Sequence, residues 1–97
     1  VVVIDNNGGL DCISQQQERL FSDGSHFATD FRDIPFHTLF EGMGGYGELV
    51  THKSEIAAAV KRAIAIGKPA CINVKARGVI SPIVAATSDK RDKASIE

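Results

Sequence analysis

The residues of this chain best suited to chemistry stand together at Asp5-Asn6-Asn7-Gly8-Gly9. Carboxylate and amide side chains bend the backbone and also offer oxygen ligands. The two glycines let main-chain atoms approach a ligand closely. A ligand loop is one reading of this spacing. A plain turn is the other, because Asn-Gly is a strong hairpin signal, and on spacing alone the turn comes first. The remaining reactive side chains are scattered. Cys12 and Cys71 are too few for a metal cluster, and for both an inert buried thiol is the favoured role over a reactive one. His26, His37 and His52 lack the spacing of a zinc site. His37 reads as a boundary residue beside an apolar helix face, His52 as a helix cap, and His26 as a loop residue that could border a site.

The elements that must position the loop follow from the pattern of apolar residues. Residues 1–4, Val-Val-Val-Ile, form an unalternating β-branched run. Such a run predicts a strand buried on both faces at the centre of a parallel sheet. A parallel strand that ends in a polar, glycine-bearing loop is where open α/β sheets place their ligands. Leu10, Ile13, Leu20 and Phe21 then predict a short helix from near Asp11. Asp23-Gly24-Ser25 is a turn, and Phe27 and Phe31 anchor a packed loop. Asp33 as cap and Pro35 in the first turn open a second helix, with Phe36, Leu39, Phe40 and Met43 on one apolar face and Gly44-Gly45 at its end.

Tyr46–Val50 reads as a short strand. Thr51 or His52 caps a third helix that runs to about Ile66. Its buried stripe is Ile56, Ala59, Val60, Ala63 and Ile64, while Lys61 and Arg62 face water. Gly67 stops it, and residues 70–76 form a further strand. Strand, loop, helix, strand, helix, strand is the order of an α/β fold: three parallel strands alternating with helices. Residues 77–97 lack strong periodicity and read as an extended tail.

Composition narrows the function classes. A chain of 97 residues, 43% hydrophobic and 24% charged, suits one compact globular domain. A net charge of −1 gives no electrostatic case for nucleic acid or an anionic membrane surface. The longest apolar stretches, 56–60 and 63–66, fall far short of a membrane span. Two cysteines and the lack of a targeting segment suit a cytoplasmic setting. The chain opens inside a strand without an initiator methionine, so it is expected to be the carboxy-terminal piece of a larger protein.

The strand followed by Asn6-Asn7-Gly8-Gly9, the stretch 36–45, the β-α-β unit behind it and Gly67-Lys68-Pro69-Ala70-Cys71-Ile72-Asn73-Val74 together carry a resemblance. They resemble the carboxy-terminal half of the pyrophosphate-binding domain of thiamine-diphosphate-dependent enzymes, over residues 1–76. The members most similar are the 2-hydroxyacyl-CoA lyases, oxalyl-CoA decarboxylases, benzaldehyde lyases and acetolactate synthases, the acyl-CoA users above all. The resemblance implies two cofactors, thiamine diphosphate and Mg²⁺. It implies that Asn7, through its side chain, and Gly9, through its carbonyl, are metal ligands, and that Asn7, Gly9 and Leu10 contact the cofactor. A neutral amide suits that place, since it adds no charge beside an anionic diphosphate.

The same resemblance places Leu10, Cys12, Ile13 and Gln16 in the segment that borders the substrate, although Leu10 and Ile13 read first as core. Lys90 and Arg91, with Lys93, read first as part of a solvated tail whose Asp89 and Asp92 dilute their charge; the resemblance implies, as the second reading, contact with the phosphates of coenzyme A. The family's Gly-Asp-Gly motif, whose Asp is a further metal ligand, does not occur in this chain. Ser22-Asp23-Gly24-Ser25 lies on the wrong side of the Asn pair and reads as a turn. The catalytic Glu of the family belongs to another domain of a neighbouring subunit. The expected partners are therefore the remainder of the same enzyme, in a homodimer or homotetramer, and a small-molecule or acyl-CoA substrate. This chain alone is expected to be inactive. The full enzyme would cleave or form a C–C bond next to a carbonyl, as a 2-hydroxyacyl-CoA lyase or oxalyl-CoA decarboxylase, or else as an acetolactate-synthase-like or benzaldehyde-lyase-like carboligase. The rival from another class is a non-catalytic α/β interaction module in which the Asn-Asn-Gly-Gly loop is only a turn.

Overall fold

A computed structural model of the chain describes residues 1–86. In chain order the elements are β1 (Val2–Asn6), α1 (Asp11–Leu20), α2 (Phe36–Gly42), β2 (Tyr46–Val50), a 3₁₀ turn (Lys53–Glu55), α3 (Ile56–Ile66) and β3 (Ala70–Lys75). They fall into two units. One is Val1–Gly8 with Asp33–Arg77; the other is Gly9–Arg32 with the described residues from Gly78. No helix among the described residues is long and apolar enough to cross a membrane.

The first unit is an open parallel α/β sheet in the order β1-β3-β2. Val2 lies opposite Cys71 and Asn6 opposite Lys75, while Tyr46 lies opposite Ala70 and Val50 opposite Val74. All three strands thus end together, and Asn7 and Gly8 leave from the carboxyl end of the sheet, the end at which such sheets bind ligands. The central strand is β3, not β1. Ala70, Cys71, Ile72 and Asn73 are all buried, as a strand covered on both sides requires. The run at 1–4 had predicted burial on both faces for β1. It lies instead at one end of the strand order, and Val2 and Val3 are 46% and 50% exposed.

The core of this unit is Val50, Ala59, Ala63, Ala70 and Ile72, with Tyr46, Ile56, Val60 and Val74 packed against it. Ala59 and Ala63 sit one helical turn apart, so α3 presents a flat, small-residue stripe to β2 and β3. Ile64, expected in that stripe, is 66% exposed, because the two alanines bring the helix down on their own side. Alanines at 57–59 favour the helix intrinsically, and Gly67 ends it in the left-handed conformation at φ 67°. Neither Thr51 nor His52 caps α3 with its side chain. The 3₁₀ turn intervenes, and the His52 carbonyl accepts the Glu55 N–H at 3.0 Å.

Helix α2 packs by its backbone. A Cβ at Gly47 would collide with the carbonyl oxygen of His37, so the missing side chain in β2 is what lets α2 lie directly on the strand. Phe36, His37 and Phe40 are consequently half-buried, whereas Leu39 and Met43 are 55% and 76% exposed. The predicted four-residue apolar face is therefore rotated. Asp33 does not cap this helix; it pairs with Lys75, and Pro35 occupies the cap position without a side-chain bond.

The second unit is held by polar side chains. In α1 the buried residues are Ser14 and Gln15, while Leu10, Ile13, Leu20 and Phe21 are each more than 40% exposed. Ser14 Oγ donates to the Leu10 carbonyl at 3.3 Å and lies 2.5 Å from Thr29 Oγ1, which must then be the donor of that second bond. Gln15 Nε2 donates to Asp11 Oδ2 at 2.8 Å and to the Val79 carbonyl at 2.5 Å, and its Oε1 accepts the Ser81 N–H at 2.9 Å. One amide thus fastens residues 79–81 to α1, ahead of a short helix over 82–86 whose Val84 is buried. Ser22-Asp23-Gly24-Ser25 is a turn, as expected: Asp23 Oδ1 accepts the Ser25 N–H at 3.0 Å, and hydrogen bonding from the Ser25 side chain, then from this N–H, holds the Asp23 carboxyl below its ordinary pKa.

Candidate functional site

The candidate loop is built around Asn6, which points inward. It is 7% exposed, and its Nδ2 donates to the Ile34 carbonyl at 3.3 Å. Its Oδ1 accepts the Gly8 N–H at 3.2 Å, an Asx turn that folds the chain just past the strand. Its own carbonyl accepts the Ala76 N–H at 2.9 Å. Gly8 can follow because it has no Cβ: its φ is 82°, with open space where a side chain would stand. Asn6 is buried and Asn7 is exposed.

A second buried amide braces this end of the sheet. Asn73 in β3 is 1% exposed, and its Nδ2 lies 3.2 Å from His37 Nδ1 and 3.5 Å from the Ile34 carbonyl. Ile34 therefore receives donors from both β1 and β3, which ties the start of α2 to the strand ends. Asn73 Oδ1 is buried without a hydrogen-bond partner among the described residues, an arrangement that costs stability. Sequence reasoning missed Asn6, Ile34 and Asn73 as supports. The available signal was a lone Asn inside the apolar run at 70–74. His37 is the boundary residue it was expected to be.

In the second unit, Gly9 forms an antiparallel bridge with Asp30, and the Leu10 N–H donates to the Thr29 carbonyl at 2.8 Å. A Cβ at Gly9 would lie 2.5 Å from the Thr29 oxygen, so this backbone pairing requires glycine. His26 bridges Glu18 and Asp30 at 2.7 and 2.8 Å. Of the other predicted residues, Leu10 and Ile13 are 44% and 45% exposed, so the core reading of both fails. Gln16 is exposed as well. Cys12 is exposed, which corrects the expectation of a buried thiol; in the first turns of this helix the buried contacts are made by Ser14 and Gln15 instead. Cys71 is buried, and burial pushes its thiol pKa up. Lys90, Arg91 and Lys93 lie outside the described residues.

The remaining charge cluster belongs to the sheet. Tyr46 Oη donates to Glu48 Oε2 at 2.7 Å, and Arg62 forks onto both oxygens of Glu48. The Arg62 guanidinium holds the Glu48 carboxyl below its ordinary pKa, and Glu48 raises that of the Tyr46 phenol. This trio joins β2 to α3.

Asn7 by its side chain and Gly9 by its carbonyl carry the kind of oxygen donor that a hard cation takes. Both would offer neutral oxygens, and the close backbone pairing at Gly9 leaves no room for a side chain. Among the described residues no group of three or more His, Cys, Asp or Glu could hold a metal ion. Comparison with curated proteins and with solved structures gave no significant match. The family model described as thiamine pyrophosphate enzyme, C-terminal TPP binding domain, matches residues 1–74, most of the chain, and the chain belongs to that family.

Proposed function

We propose that this chain is the metal-and-diphosphate half of a Mg²⁺- and thiamine-diphosphate-dependent enzyme that cleaves or forms a C–C bond next to a carbonyl. The observation that carries the reading is the family match over residues 1–74, with an Asn-Asn-Gly-Gly loop at the carboxyl end of a parallel strand. Asn7 and the Gly9 carbonyl would hold Mg²⁺, with Leu10 beside the cofactor. When bound, thiamine diphosphate supplies the electron sink for the bond change. The residues of this chain bind and orient; none is assigned as acid or base. Asn6 and Asn73 brace the end of the sheet from which Asn7 projects.

Within the family, a 2-hydroxyacyl-CoA lyase or oxalyl-CoA decarboxylase is the activity we favour, supported by the form of the Asn-Asn-Gly-Gly stretch. Cys12, Ile13 and Gln16 are exposed on the first turns of α1, and with Leu10 they are candidates to line the substrate side. Lys90 and Arg91 are the candidates for coenzyme A phosphates. The rest of the enzyme would supply the Gly-Asp-Gly motif and the catalytic Glu, in a homodimer or homotetramer. The test is turnover by the intact enzyme with Mg²⁺ and thiamine diphosphate, comparing 2-hydroxyacyl-CoA and oxalyl-CoA with pyruvate. Cleavage of either acyl-CoA supports the assignment. Turnover of pyruvate alone moves it to the acetolactate-synthase-like carboligases.

A further inference from the structure

In the second unit one imidazole faces a carboxylate on each of its nitrogens. His26 Nδ1 lies 2.7 Å from Glu18 Oε1 of α1, and His26 Nε2 lies 2.8 Å from Asp30 Oδ2. Carboxylates only accept hydrogen bonds, so the ring satisfies both partners only when both nitrogens carry protons. The segment it holds is the one that pairs with the candidate loop. Asp30 bridges to Gly9, and Thr29 accepts the Leu10 N–H. Between ring and bridge, Ala28 sits at φ 58°, a left-handed conformation that residues with a Cβ rarely adopt. Such a conformation persists only where its surroundings impose it.

We propose that His26 is a positioning residue for the cofactor loop: by bridging Glu18 and Asp30 it holds residues 26–30 in the conformation that pairs with Gly9, and so fixes the Gly9 carbonyl and makes Mg²⁺-thiamine diphosphate binding depend on pH. The proposal rests on Gly9 as a metal ligand, the reading given above. The charged groups that act on the ring are Asp30 from its own loop and Glu18 from α1; hydrogen bonding to Asp30, then to Glu18, raises its pKa. The sign follows. The bridge is complete below the ordinary histidine value of about 6.5 and is lost as pH rises through the raised value of the folded protein. Gln17 Oε1 accepts the Phe27 N–H at 2.7 Å, so an attachment that does not titrate keeps the loop on α1 when His26 is neutral.

The experiment uses the intact enzyme, as wild type, His26→Gln and Glu18→Gln, at about pH 6 and about pH 8.5, either side of the histidine range. One readout is hydrogen exchange at the Leu10 amide, corrected for intrinsic exchange; the other is the affinity for thiamine diphosphate with Mg²⁺. Wild type should show stronger Leu10 protection and tighter binding at the lower pH. His26→Gln should lose both dependences, with affinity at the lower pH roughly threefold to fivefold weaker, the size expected of exposed ion pairs. Glu18→Gln should keep the dependence and move it to lower pH. Wild-type binding whose pH profile His26→Gln leaves unchanged would overturn the role of His26. Absence of Mg²⁺-dependent binding in the wild type at either pH would instead overturn the reading of Gly9, and the proposal with it.

Discussion

Replacing Gly9 with alanine would set a methyl group 2.5 Å from the Thr29 carbonyl oxygen and 3.4 Å from Asp30 Cα. Ordinary contact begins near 3.4 Å, so the two chain segments must part by roughly 0.9 Å. That shift carries the Leu10 N–H to Thr29 bond from 2.8 Å past the useful limit of about 3.2 Å. Loss of this bond costs about 1 kcal/mol, and the forced separation about 1–3 kcal/mol more. Gly9→Ala should therefore lower the unfolding free energy by about 2–4 kcal/mol. Gly8→Ala makes a contrast, since its φ is 82° and no atom crowds the new Cβ. There only the left-handed backbone is penalised, by about 1–2 kcal/mol. Urea denaturation of the intact enzyme measures both. Calorimetric titration should show Gly9→Ala weakening Mg²⁺-thiamine diphosphate binding about 10- to 100-fold, as displaced supports of metal ligands do. A Gly9→Ala enzyme within about 0.5 kcal/mol of wild type, with unchanged affinity, would refute the pairing of Gly9 with Asp30.

Four further outcomes follow from the fold. Gly47→Ala drives a Cβ to 2.6 Å from the His37 carbonyl carbon, a backbone clash that no rotamer relieves, and denaturation should show a loss of about 3 kcal/mol or more. Asn6→Ala removes the partner of Gly8 N–H and a donor to Ile34, and should cost about 2 kcal/mol in the same assay. A thiol reagent on the native protein should modify Cys12 quickly, whereas Cys71, buried and with a raised pKa, should react only on unfolding. Glu48, lowered by Arg62, stabilises the fold above the ordinary glutamate range and loses that contribution as pH falls through its lowered value. Glu48→Gln should flatten this acid limb, by a small and salt-dependent amount because the Arg62 side chain is 53% exposed.

The fold class was legible because strand and helix periods differ and because Gly67 marks a helix end that the structure keeps at φ 67°. What failed was the inference from apolar runs to burial within this chain. Residues 1–4 promised a central strand, yet β3 holds the centre. Leu39, Met43 and Ile64 completed apolar stripes on paper, but Gly47, Ala59 and Ala63 set how the helices sit, and small residues carry little weight in such patterns. The candidate loop was visible as residue types, and its supports were not. Asn6 to Ile34 and His26 to Glu18 and Asp30 join residues distant in sequence, and no local spacing announces them. Helix α1 reversed the usual expectation altogether, since its buried contacts are a hydroxyl and an amide.

The most direct test of the account is the titration of the intact enzyme with thiamine diphosphate at a series of Mg²⁺ concentrations, for wild type and for Asn7→Ala. Asn7 is exposed beside an Asn6 engaged with Gly8 and Ile34, and urea denaturation of both proteins separates a loss of affinity from a loss of stability. Wild-type affinity should rise with Mg²⁺, and Asn7→Ala should weaken it by about 100-fold or more, at least the loss seen when the outer-shell partner of a metal ligand is removed. Equal affinity and equal Mg²⁺ dependence in the two proteins would contradict the account.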